Sequence, residues 1–270
     1  MSVVTISRGT FSGGKGLAEC LAGHVGYRCV DREVIVEKAA AWGVSQEELR
    51  VALDKPPGFL ERFSHKRYLY LALVQAALTE EVRGGDVVYH GHCGHLLLKG
   101  GPPVIRARII APLGYRISMA QDRLRLSHNE AMAYIKNIDN DRKRWAQYLY
   151  GVDWEDASLY DLVINLEYID IEQACNILAS TVIQGKCFHF DKKCQAVMDD
   201  LARSSRVKAE LALNPGTSNL ELEVICEEGD VRVKGKVYDT DQIKQIERIA
   251  REVEGVSSVN LEELAPPVPT

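Results

Sequence analysis

Eight residues near the start of this chain, Gly9-Thr10-Phe11-Ser12-Gly13-Gly14-Lys15-Gly16, carry the spacing GxxxxGK. Glycines at 9, 13 and 14 let the backbone take positive φ and turn its N–H groups inward. A helix beginning behind them adds partial positive charge, and Lys15 adds a full one. Such a loop holds the β- and γ-phosphates of a nucleoside triphosphate. A glycine turn with a solvated lysine would show the same spacing, so the flanks decide. Ser2-Val3-Val4-Thr5-Ile6-Ser7 in front is a short β-branched strand, and Leu17-Ala18-Glu19-Cys20-Leu21-Ala22 behind opens a helix. Strand, glycine loop and helix together assign Gly9 to Gly16 to phosphate binding.

More cationic chemistry lies in the helical run Asp139 to Arg144. Asp139 precedes Arg142 by three residues, a spacing that lets the carboxylate orient the guanidinium. The same run also reads as a solvated charged face. The stretch His90-Gly91-His92-Cys93-Gly94-His95 holds three imidazoles and a thiol. It fits none of the structural zinc spacings, and alternate residues leaving a strand point to opposite sides, so no metal ligand is assigned there. Cys187, His189 and Cys194 form a looser cluster without an obvious fourth ligand, and they too are read as structural.

These residues need a scaffold. Apolar strand candidates at Val3 to Ser7, Arg28 to Val30, Asp86 to His90, Val104 to Ala111 and Asp161 to Asn165 alternate with helical pattern, which implies a parallel sheet covered by helices. Ser127-His128-Asn129-Glu130 and Asp170-Ile171-Glu172-Gln173 have the form of capping boxes. Pro56-Pro57-Gly58 interrupts the helices of its region, making Asp54 to Phe63 a candidate mobile loop beside a substrate. The pattern changes after Ile183. A helix from Ala196 to Arg203, two alternating strands joined at Glu228-Gly229-Asp230, a helix from Asp241 to Val253 and a short strand near Val256 to Leu261 describe a small α+β unit. The expected organisation is therefore a domain at 1–183, a linker at 184–193, a second domain at 194–264 and a tail at 265–270.

Composition limits the partners. With 46% hydrophobic residues the 270-residue chain can fill packed cores, and its formal net charge of −5 supplies no global basic field for nucleic acid or an anionic membrane surface. No apolar run approaches the ~20 residues needed to span a bilayer. Seven irregularly spaced cysteines suit a reducing compartment in which buried thiols act as small hydrophobes, and a cytoplasmic location is expected.

The first ~180 residues resemble the cytidylate kinase-like branch of the nucleoside monophosphate kinases. The resemblance is carried by Ile6-Ser7-Arg8-Gly9 leading into Gly13-Gly14-Lys15-Gly16, by Val30-Asp31-Arg32-Glu33, and by Ala111-Pro112 followed by Arg116-Ile117. Asp139 through Arg142, and Gly151-Val152-Asp153-Trp154 running to Tyr160-Asp161-Leu162-Val163-Ile164-Asn165, complete it. It implies a P-loop kinase fold, α/β with a five-stranded parallel sheet flanked by helices, an acceptor-binding arm after the second strand, and an arginine-bearing lid. It also implies Mg-ATP as donor and a nucleoside monophosphate, CMP among them, as acceptor. Lys15 becomes the donor-phosphate cation, Arg142 and Arg144 the lid arginines, and Arg116 a contact near the nucleotide base unless it snorkels from its helix. Asp31 either accepts from the acceptor nucleoside or caps the helix that follows. Lys193 to Leu264 resemble a BON domain, through Gly229 to Val237 and the closing Gly255-Val256-Ser257-Ser258-Val259. That module implies regulation or assembly, and a homo-oligomer is left open.

Two departures shape the functional expectation. Gly16-Leu17 supplies no hydroxyl to a magnesium shell, and Gly91-His92-Cys93 stands where relatives often have Gly-Arg-Asp, so a titrating ring at His92 would face the acceptor phosphate. ATP-dependent phosphoryl transfer is the principal expectation. The alternative is a catalytically weak nucleotide-binding sensor or adaptor acting through the BON-like domain.

Overall fold

The computed structural model describes residues 2–54, 65–91, 93–185 and 188–265. Most of the loop expected from Asp54 to Phe63, together with His92 and Cys187, lies outside the described residues.

The expected strands form β1 (Val3–Arg8), β2 (Arg28–Asp31), β3 (Val87–His90), β4 (Ile105–Ile110) and β5 (Leu162–Asn165), ordered β2-β3-β1-β4-β5. Every pairing in this sheet is parallel. Helices connect and cover it: α1 (Gly14–Val25), α2 (Arg32–Ala40), α3 (Gln46–Asp54), α4 (His65–Val82), the short α5 (Gly94–Leu97), α6 (Leu113–Leu124), α7 (His128–Tyr150) and α8 (Ile171–Gln184). The central β1 is buried from Val3 to Ser7 because both of its faces are covered. Val4 and Ile6 pack with Leu17, Leu21, Ala174 and Leu178 of α1 and α8, while Val3 packs with Leu73 and Ala77 of α4. Chain order reverses across β1, between β3 and β4, so the crevice at the carboxyl end of β1 is the natural ligand site of such a sheet.

Helices α6 and α7 form a hairpin, where the resemblance implies a lid. The capping box at Ser127 and Glu130 starts α7, and Trp145, fully buried, donates to the Ala52 carbonyl at 3.0 Å and anchors the far half of the helix in the main core. Asp170 and Gln173 form the second capping box, at α8.

Two expectations need correction. Cys20 of α1 and Cys175 of α8 are joined by a disulfide, so the cysteines are not uniformly packed thiols. The helix expected from Ala196 to Arg203 is α9 (Lys192–Leu213), 22 residues long. Its apolar positions serve two surfaces at once, which hides the single-stripe periodicity that marks an ordinary surface helix. Met198 and Ala209 enter the core shared with α4, and Val207 and Leu211 enter a separate core beneath the second sheet.

That second sheet comprises β6 (Glu223–Glu227), β7 (Asp230–Lys236), β8 (Ser258–Asn260) and β9 (Leu264–Ala265). Glu228 and Gly229, with φ of 54° and 85°, make the two-residue turn of the β6–β7 hairpin. Helix α10 (Thr240–Glu252) lays Ile246, Ile249 and Ala250 against Val231 and Val233.

Candidate phosphate-binding site

The glycine loop leaves the carboxyl end of β1 and enters α1. Gly9 N donates to the Ile109 carbonyl of β4 at 3.3 Å, and Ser12 Oγ donates to the Gly9 and Ile109 carbonyls at 2.8 and 3.1 Å. Ser12 is buried, and its hydroxyl ties the loop to the sheet. Gly13, at φ 85°, takes the left-handed conformation that starts α1. Gly14 is required by crowding: a Cβ there would clash with Arg8, at 2.9 Å from its Cβ and closer still to its Cδ. Side chains cap α2, α7, α8, α9 and α10, through Asp31, Ser127, Asp170, Asp191 and Asp239, whereas no side chain caps α1, as at α5 and α6. The first-turn N–H groups of α1 therefore keep their hydrogen-bonding capacity for an anion.

Asp139 joins the lid to this loop. Its Oδ1 accepts from Thr10 N at 2.9 Å and Thr10 Oγ1 at 2.7 Å, and its Oδ2 accepts from Arg116. Arg116 Nε also donates to the Thr10 carbonyl at 2.7 Å. Arg142 Nη1 donates to Thr10 Oγ1 at 3.1 Å and to the Arg8 carbonyl at 3.2 Å, 3.8 Å from Asp139 Oδ1. Phe11, at φ 60°, packs beside Ile117, Ala131 and Ile135 of the α6–α7 hairpin. Loop and lid thus meet through one carboxylate, two guanidiniums and one ring.

The expected site residues divide accordingly. Gly9 through Gly16, Arg116 and Arg142 come together. Arg116 is braced across the loop backbone by Thr10 and Asp139, so its guanidinium is not a free surface cation. Arg144 is turned away, exposed and bonded to Asp141 at 2.8 Å. Lys15 lies at the rim with its Nζ 3.7 Å from Glu19, both side chains more than half exposed. Asp31 caps α2 by accepting from Val34 N at 3.0 Å, the capping alternative of its two readings.

Two nearby arginines, quoted in the motifs that carry the resemblance, were given no role from the sequence. Arg8 ends β1, and Arg32 begins α2. Burial, followed by the charges of Arg142 and Arg32, brings the Arg8 guanidinium down to about 10. Burial and then Arg8 lower His90. The available signal was a charged residue closing an apolar strand directly before a phosphate loop. A triphosphate fits this setting, because the loop amides, Lys15 and Arg142 present positive charge to one crevice. Thr10 and Ser12 hydroxyls donate to protein oxygens and Gly16 has none, so an accompanying magnesium ion would be held through phosphate oxygens and water.

Comparisons with known proteins identify the family and the fold. The sequence model of the cytidylate kinase-like family matches residues 3–168, and that of the BON domain matches residues 199–262. A cytidylate kinase of Staphylothermus marinus is 30% identical over 180 residues, spanning 65% of this chain and 94% of the relative. A cytidylate kinase of Ignicoccus hospitalis is 30% identical over 168 residues, covering 61% and 90%. An uncharacterized protein of Eubacterium ventriosum shares the fold with a TM-score of 0.54 at 19% identity, over 68% of this chain and 98% of that one.

Proposed function

Because the chain belongs to the cytidylate kinase-like family, with a BON domain following, we propose that its N-terminal domain transfers the γ-phosphoryl group of Mg-ATP to a nucleoside monophosphate, CMP being the first candidate. The single supporting observation is the glycine loop at the uncapped N-terminus of α1 lying beside Arg142 of the lid helix. An oxygen of the acceptor phosphate attacks the γ-phosphorus, the bond from that phosphorus to the β–γ bridging oxygen breaks, and ADP leaves with the electron pair. No covalent nucleophile from the protein is needed, and catalysis consists of positioning and charge stabilisation. The loop amides and Lys15 hold the donor. Arg142, once its bond to Thr10 is exchanged for phosphate, meets the charge that develops on the transferring group.

ADP release measured with a coupled assay across CMP, dCMP, UMP and AMP tests the reading, and turnover fastest with one pyrimidine monophosphate is the expected result. Lys15→Ala should leave the melting temperature unchanged, since an exposed ion pair contributes ~0–1 kcal/mol, while weakening ATP by a charge-assisted contact of ~1.5–3 kcal/mol. The missing hydroxyl at Gly16 favours a second reading, a nucleotide-binding sensor signalling through the BON domain. ATP binding without turnover on any acceptor would select it.

A further inference from the structure

Arg8 is built into the phosphate loop from underneath. Its stem crosses the Cα of Gly14 so closely that any β-carbon there would collide with it. The guanidinium is thereby carried past the start of α1, toward Arg32 at the head of α2 and Tyr89 and His90 at the end of β3. Its Nε is buried and, among the described residues, has no acceptor. The charges of Arg142, Arg32 and Arg123 disfavour its proton, and the Tyr89 phenol alone among the groups acting on it opposes them. Gathering like charges around a desolvated guanidinium is costly unless an anion completes the set. The opposite flank of the loop is already occupied by Arg116, Asp139 and Thr10. That leaves the β2–β3 side as the place where an oxyanion would meet Arg8.

We infer that Arg8 is the residue that grips the phosphate of the acceptor monophosphate, a permanently charged fork delivered from the end of β1 beneath the donor loop. This assignment rests on the phosphotransferase reading above and names which phosphate Arg8 takes. A planar guanidinium offers two parallel donors to a phosphate, which fixes orientation as well as position.

The test uses the full chain and three probes, CMP, cytidine and a non-hydrolysable ATP analogue, with affinities measured by calorimetry for the wild type, Arg8→Met and Arg8→Lys. Methionine retains the stem over Gly14, and lysine retains the charge without the fork. Arg8→Met is expected to weaken CMP about 10- to 100-fold, the loss of one charge-assisted contact, and to leave cytidine and the ATP analogue within about threefold. Arg8→Lys should fall between the two. Without ligand, Arg8→Met should melt no lower than the wild type, because an unpartnered cation has been removed from among cations. Unchanged CMP affinity in a wild type that turns CMP over would overturn the role of Arg8 and leave the kinase reading standing. An equal loss for the ATP analogue would move Arg8 to the donor, and a lowered ligand-free melting temperature would make it a structural residue. A wild type that neither binds CMP nor turns over any monophosphate of the coupled assay would overturn both readings together.

Discussion

Asp139 carries more of this site than its position on a charged helix suggests. One carboxylate accepts from Thr10 twice and from Arg116, and it stands within ion-pair distance of Arg142. Asp139→Asn retains an acceptor for Thr10 but removes the charge that partners two partly buried guanidiniums. A loss of about 1.5–3 kcal/mol is expected, the scale of hydrogen bonds to charged groups, read as a lower denaturant midpoint at unchanged slope. An unshifted midpoint would show that the lid is not fastened through this carboxylate. The two sequence-equivalent lid arginines should also separate. Arg142→Lys is expected to lower turnover at least about tenfold with little change in ATP affinity, because lysine loses the planar fork. Arg144→Lys, at an exposed pair with Asp141, should lower it much less. Equal effects would contradict the placement of Arg144.

At the level of elements, α5 couples fold to pH. His95 is buried with its ring 4.9 Å from that of Tyr160, and burial, followed by Arg106 and Arg108, brings its pKa down to about 4. An unfolded histidine titrates near ~6.5, so the unfolded chain takes up the proton first. The stability held by the neutral ring is complete above about pH 6.5 and is lost as pH falls toward 4, at about 1.4 kcal/mol per unit and about 3 kcal/mol in all. His95→Phe, which keeps a ring against Tyr160, should flatten stability against pH across that window in urea titrations. An unchanged slope would place the titration elsewhere. The sequence marked the stretch 90–95 as chemically dense but could not say that the His90 and His95 rings are both buried, since that depends on how β3 and α5 pack.

On the scale of the whole molecule, α9 decides how the two domains behave. Its Met198 lies in the N-terminal core and its Val207 in the C-terminal one, both fully buried. A chain ending at residue 183 loses the face that covers α4, and one starting at 194 exposes that face to water. The full chain is expected to unfold in a single transition, and Met198→Ala, costing about 2–5 kcal/mol as a large-to-small core change, should lower the melting of both domains together. Two transitions, only the first of them shifted, would show that the join transmits nothing. No helix among the described residues is long and apolar enough to cross a membrane.

The five parallel strands, the glycine loop, two capping boxes and the β6–β7 turn were legible from residue order alone, because each rests on local periodicity or on a few adjacent residue types. Asp31 as a helix cap was legible for the same reason. The tertiary structure decided what depends on distant partners. It selected Arg142 over Arg144, placed Arg8 under Gly14, joined Cys20 to Cys175, and gave α9 two buried faces. Arg142 and Arg144 differ by two residues on one helix, about 200° around its axis, and only the docking of α7 onto the loop says which side meets Thr10. Charge and composition are properties of a sequence, whereas a shared carboxylate between residues 10, 116 and 142 exists only once three separate elements have been packed together.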